Sequence, residues 1–291
     1  MKSIIIGAGT DLGVHIDGAR LGPKQLINDI KSFYTGEIIE FNQDNSIIKS
    51  RNIADRTKNK YEINKYNENL YKTVSDRLSE EFFPITIGGD STISIATSLA
   101  SAKINEDVGI IWISADSNYH TFSTTTTGNM CDLSLAAITG YQCSELTTFH
   151  RDQIIQPAKS VIVGARELSK SEKENLRYAG VTYFTVNDLR TEGIETIMKK
   201  AYDIASYKTK NIHICFNLNV IDPEIAHGVS VPEFDGLNRD EVKIIFEYIT
   251  KNLDKVSSFD LVELNPLRDT DRKTEQIALN ILANLIKKID N

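Results

Sequence analysis

Three short segments hold most of the residues able to do chemistry. They are Gly88-Gly89-Asp90-Ser91, Ser114-Ala115-Asp116-Ser117-Asn118 and Asn217-Leu218-Asn219-Val220-Ile221-Asp222-Pro223. Each closes an apolar, strand-like run, and in a doubly wound sheet sites form just past the carboxyl ends of the strands. The three are therefore expected to share one sheet edge. Their side chains are mainly hydroxyls and carboxamides, which both donate and accept hydrogen bonds, with a few carboxylates. Asp90 reads as a loop-organising acceptor. Asp116, His120, Cys131 and Cys215 are zinc-type ligands, but none of them form a short-spaced pair. Cys131 with His120 or His227 would suggest thiol attack, although a buried, inert cysteine is the commoner case. Gly7-Ala8-Gly9 follows the first strand, yet the next glycine is Gly13 and no helix start follows. That favours a plain turn over a dinucleotide fingerprint. His15, His150 and His213 fall in no motif, and His213 is expected in the core or at an edge.

The elements that must place these segments alternate along the chain. Strands are expected at 3–6, 38–41, 83–87, 108–114, 160–163, 182–185, 212–217 and 257–264. Apolar residues at successive positions mark them as buried on both faces. Helical patterns occupy 22–32, 60–80, 92–102, 169–179, 194–206, 239–253 and 272–288. Asn238 precedes one helix, and Ser169 stands three residues before Glu172 as a capping box. Residues 42–59 read as the longest surface loop, 124–127 as a polar loop and 272–288 as a packing helix. The pattern predicts a single domain over 1–291, three layers α/β/α, around one mostly parallel sheet. Composition agrees: 291 residues, 41% hydrophobic and 25% charged, are ordinary for a large core. A net charge of -7 argues against nucleic-acid binding. No apolar run is long enough to span a bilayer, so no membrane partner is expected. The first apolar run is too short for a signal-peptide core. Three widely spaced cysteines point to a reducing, cytoplasmic setting.

Taken in order, the segments resemble the arginase/agmatinase (ureohydrolase) family. In that family the three places read Gly-Gly-Asp-His, Asp-Ala-His-x-Asp and Asp-x-Asp-x-x-Asp-Pro and hold two manganese ions. Further similarity lies in Gly22-Pro23 before a helix, in Thr124 to Thr127 with Gly128-Asn129, in Pro232 with Gly236-Leu237, and in Glu263-Leu264-Asn265-Pro266. The resemblance implies an eight-stranded parallel sheet with helices on both faces. It also sets Ser91, Ser114, Asp116, Asn118, Asn217 and Asn219 where the family's metal ligands stand, and Cys131 where a histidine stands. Only Asp116, which stands where the family has a histidine, could act as an anionic ligand, whereas a hard dication pair needs several carboxylates. Manganese is the family's cofactor, and none is expected here.

The Asp-to-Asn substitutions keep shape and remove charge. Without metals, each like-charge carboxylate pair at about 4 Å would cost roughly 4 kcal/mol at an effective dielectric near 20. Ser91, Ser114, Asn118, Asn217 and Asn219 are instead expected to satisfy one another by hydrogen bonds. Metal-bound hydroxide is the family's nucleophile, since a metal can lower a water's pKa from about 15.7 to about 7. Losing it removes on the order of 10 kcal/mol of activation. Asp116 as a lone base contributes only about 10²–10⁴ in rate. No catalytic residue is therefore assigned, and a catalytically silent protein is expected.

By the same resemblance, part of a ligand pocket remains. Glu263 matches a guanidinium-contacting glutamate, with a structural partnership to Arg166 or Arg268 as the plain alternative. Asn129 matches a contact to the amino-acid end of a substrate, and Glu172 lies in the region that helps hold its α-amino group, although Glu167 and Ser169 depart from the family's two Asp there. His120 and Cys131 complete the expected lining. The partners implied are an arginine- or ornithine-like molecule and either a homo-oligomer (trimer or hexamer) or an assembly with a related active subunit. The alternative reading is an active amidinohydrolase acting on a guanidino or formimino substrate through a divergent metal site.

Overall fold

Runs of Ile, Val and Phe leave no polar face for water, so the strands must be covered on both sides. The computed structural model describes residues 2–290 except 53, 153 and 167. Its eight strands are β1 (Lys2–Gly9), β2 (Ile38–Asn42), β3 (Phe82–Gly88), β4 (Val108–Ile113), β5 (Ser160–Ala165), β6 (Thr182–Thr185), β7 (Asn211–Asn217) and β8 (Val256–Val262). They form one sheet in the order β2-β1-β3-β8-β7-β4-β5-β6. Every pairing is parallel, so the sheet is wholly rather than mostly parallel. Pro84 has no N–H to give, and it lies just before Ile85–Ile87, the stretch of β3 that pairs with β8.

The nine α-helices among the described residues are α1 (Gly22–Ile30), α2 (Lys60–Ser79), α3 (Ile93–Asn105), α4 (Ser134–Ile138), α5 (Lys170–Ala179), α6 (Val186–Glu192), α7 (Ile194–Ala205), α8 (Arg239–Lys251) and α9 (Lys273–Asp290). Side chains alternate across the strands and build two cores. Ile5, Ile111 and Ile113 pack with α1, α6, α7, α8 and α9. Ile4, Ile6, Ile110 and Trp112 pack with α2, α3, α4 and α5. Ser169 and Asn238 make the capping boxes of α5 and α8, and Pro23 sits in the first turn of α1.

Two expectations are corrected in extent. The last strand stops at Val262, because Glu263 adopts a left-handed backbone, φ 78°. The fourth stops at Ile113, before Ser114. Gly7 and Gly9 lie inside β1, and the next helical turn begins only at Ala19. The dinucleotide alternative therefore lacks its strand–turn–helix context. No helix among the described residues is long and apolar enough to cross a membrane.

Candidate functional site

The ends of β3, β4, β7 and β8 lie side by side, and the three polar segments meet at that edge. After β3 the chain turns tightly: a Cβ on Gly89 would sit 1.9 Å from the Thr10 carbonyl oxygen. Asp90 is spent on organising this turn. Its Oδ2 accepts the Gly13 N–H at 2.7 Å, and its Oδ1 accepts the N–H and hydroxyl of Thr92. That is the loop-organising role expected from sequence. Ser91 is fully buried, and its Oγ has no hydrogen-bond partner among the described residues.

Asn219 is the hub of the next two segments. Its Nδ2 donates to Asp116 Oδ2 at 2.8 Å. Its Oδ1 accepts the Ser114 hydroxyl at 3.3 Å and the Ala115 N–H at 3.1 Å. Its N–H donates to Asn217 Oδ1 at 3.0 Å, and Ser114 Oγ accepts the Asp116 N–H at 3.2 Å. Arg166 fixes the turn from outside, with guanidinium bonds of 2.6 Å to the Gly164 and Val220 carbonyls. The expected mutual satisfaction thus joins Ser114, Asn217 and Asn219 with Asp116. It fails for Ser91, which is orphaned, and for Asn118. Asn118 turns to Trp112, whose indole N–H donates to its Oδ1 at 2.8 Å, while its Nδ2 donates to the Cys131 carbonyl at 2.8 Å.

Acids surround this network, and Arg166 is a cation that interacts with Asp116, Glu233 and Asp222 there. Burial, then Asp132, Glu233 and Glu172, push Asp116 up to about 7, although it keeps partial access to solvent. Burial, then Asp90 and Asp116, push Glu263 well above the carboxylate range; hydrogen bonds from the Ser91 N–H and Ser230 act the other way. No ion pair joins Glu263 to Arg166 or Arg268 among the described residues, so the structural partnership is not formed. Asp132, overlooked in the sequence, accepts from the Thr127 hydroxyl at 2.6 Å and from the Cys131 thiol at 3.3 Å. Its only sequence signal is adjacency to Cys131.

Burial, followed by Asp132 and Glu263, holds the Cys131 thiol well above its ordinary value. That opposes the thiol-attack reading. The thiol donates to Asp132 and makes no hydrogen bond to either proposed partner among the described residues: His227 is 3.4 Å from Asp271, and His120 is 3.6 Å from Glu172. The zinc reading fails as well. Cys215 contacts Ser94 beneath the edge, and the one ligand-spaced group among the described residues is His227, Asp269 and Asp271. Glu172 accepts the Ser117 hydroxyl at 2.6 Å while capping α5, and it lines an open surface depression of about 820 Å³. Asn129 lies 3.3 Å from His15, a histidine that no motif had singled out. His213 is core, as expected, bonded to Ser258 and Asp260. Glu167 lies outside the described residues.

Residues 1–287 match the model of the Arginase family. The chain belongs to the arginase family. The Bacillus caldovelox arginase is 29% identical, the match covering 98% of each chain. The solved Bacillus cereus arginase superposes with a TM-score of 0.88 at 27% identity, covering 98% of each. The Entamoeba histolytica arginase, solved with L-ornithine, shares the fold at 22% identity, with a TM-score of 0.89 and 98% of each chain covered. Arginase-family membership accounts for the eight-stranded all-parallel sheet and for the edge on which the three segments converge.

Proposed function

We propose that this arginase-family protein holds no pair of divalent cations at its strand edge and does not hydrolyse guanidino or formimino substrates. The observation that carries the reading is the donor set. Of the six positions that answer to the family's ligands, Asp116 alone is a carboxylate, and Asn219 already binds one of its oxygens. Two dications leave a large uncompensated charge on such a set. Asp90 is no substitute, since both of its oxygens serve the Gly13 and Thr92 turn. The donors therefore do not fit the metal pair, and no metal-activated water enters the chemistry.

What the edge can do is bind. Glu263 and Asp116 are acids held toward neutrality by burial and by neighbouring acids, Asp90 and Asp116 for the first and Asp132, Glu233 and Glu172 for the second. A planar guanidinium or an ammonium group placed between them restores their charge and takes up their acceptors. Asn129 and Glu172 would face the amino-acid end of an arginine- or ornithine-like ligand. The role is then that of a ligand-binding or regulatory cytoplasmic protein, acting as a homo-oligomer or beside a related active subunit.

Protein purified with manganese should carry far less than one ion per chain by elemental analysis. Incubation with manganese and arginine, agmatine, guanidinobutyrate or formiminoglutamate should release no urea or formamide. L-Arginine or L-ornithine should raise the melting temperature. Stoichiometric manganese with robust product release would establish the active amidinohydrolase instead.

A further inference from the structure

The helices α8 and α9 run side by side on the same face of the sheet, packed into one core. Between them lies a cleft of about 830 Å³, within the range of small-molecule sites, roughly 300–1,000 Å³. Its floor is apolar: Ile221, Ile225, Phe246, Ile277 and Ile281. The lining residues recur at helical spacing, from Arg239 to Thr250 on α8 and from Ile277 to Lys288 on α9. At 1.5 Å per residue the trough is roughly 16 Å long.

Its charge is the opposite of the molecule's. The chain carries a net charge of -7, yet four cations line this cleft against a single acid, Glu247, which lies 3.9 Å from Lys243 in an exposed i,i+4 pair. The cations are divided between its ends. Both helices run antiparallel to the strands, so Arg239 and Lys243 lie toward the carboxyl edge of the sheet. Lys287 and Lys288, in the last turn of α9, lie toward the opposite edge. An apolar trough with positive charge at each end favours an elongated apolar body bearing negative groups.

We propose that the α8–α9 cleft is a binding site for an elongated aliphatic carboxylate, filled best by a dicarboxylate whose two ends meet the two pairs of cations. The chain lies along the isoleucines and Phe246, and the carboxylates are held at the rim by basic side chains that stay partly in water.

Calorimetric titration of the full chain in low salt with dodecanedioate tests this. One saturable site per chain is expected. Dodecanoate should bind about tenfold more weakly and dodecanediol not measurably, and the dicarboxylate affinity should fall as salt is raised. Lys243 and Lys288 are exposed, so the double variant Lys243→Glu with Lys288→Glu should fold normally and lose at least tenfold in affinity. Asn280→Trp, at another exposed position, should block the trough without altering charge. Absent or non-saturating binding overturns the proposal, as does affinity indifferent to charge or to both variants. It also falls if the chain self-associates through this face, shown by loss of assembly in the lysine variant, while dodecanedioate fails to bind.

Discussion

At Ser91 a hydroxyl is sealed from water with nothing to bond among the described residues. Such a group costs its desolvation and returns nothing. Ser91→Ala should therefore leave stability unchanged or raise it by up to about 1 kcal/mol in denaturant unfolding. A clear loss would mean that the hydroxyl has a partner. Asp116 makes the complementary case. Its folded pKa, about 7, lies above its ordinary value of 3.8. Between those two values the folded state binds more protons than the unfolded one, so stability falls as pH rises through that window and levels off above it. Asp116→Asn keeps the shape and an acceptor for Asn219 while removing the charge. The variant should match the wild type near pH 4 and exceed it at pH 8, by at most about 4 kcal/mol, and by less because Asp116 is partly solvated. Thermal melts across that range check the sign. At this scale the sequence was legible where a side chain serves its own turn, as Asp90 does. It was opaque where strand geometry supplies the partner. Nothing in the residue order shows the Trp112 indole reaching Asn118, or His15 arriving at Asn129.

Elements were legible in proportion to their hydrophobic period and their caps. All eight strands and seven of the nine helices occupy the expected stretches. The two overlooked helices are short. Five-residue α4 has no side-chain cap to announce it. The start of α6 was marked, since Thr185 stands three residues before Asp188 and forms a capping box. Removing such a cap has a defined cost: Asn238→Ala should lose about 1 kcal/mol in equilibrium unfolding. The tight turn after β3 is less forgiving. Gly89→Ala places a methyl group against the Thr10 carbonyl, which is backbone and cannot swing aside. A loss of roughly 1–3 kcal/mol is expected from such overpacking, with destabilisation reported by the melting temperature. Little change there would show that β1 and β3 can part freely at this edge.

For the molecule as a whole, charge at the strand edge is collective. Ser91→His, Asn217→Asp and Asn219→Asp introduced together should not recover manganese. They set two new carboxylates beside Asp116 and Glu263 while Ser114 and Asn118 stay neutral. Uncompensated buried charge destabilises, so the triple variant should melt earlier than the parent and remain metal-poor by elemental analysis. Stoichiometric ion uptake would show that three positions suffice.

The strand order has a consequence for how this protein comes into being. β2, β1 and β3 make one slab, and β7, β4, β5 and β6 make another; β8, the last strand in the chain, is the piece that touches both. Until residues 256–262 arrive, the two slabs have unsealed flanks and no shared edge. The pairing that closes them spans long sequence separations, which slows folding. The Asp90 turn and the Asn219 network therefore share one sheet only once β8 is in place, and a ribosome-bound chain lacking this wedge would have two half-sheets and a divided edge.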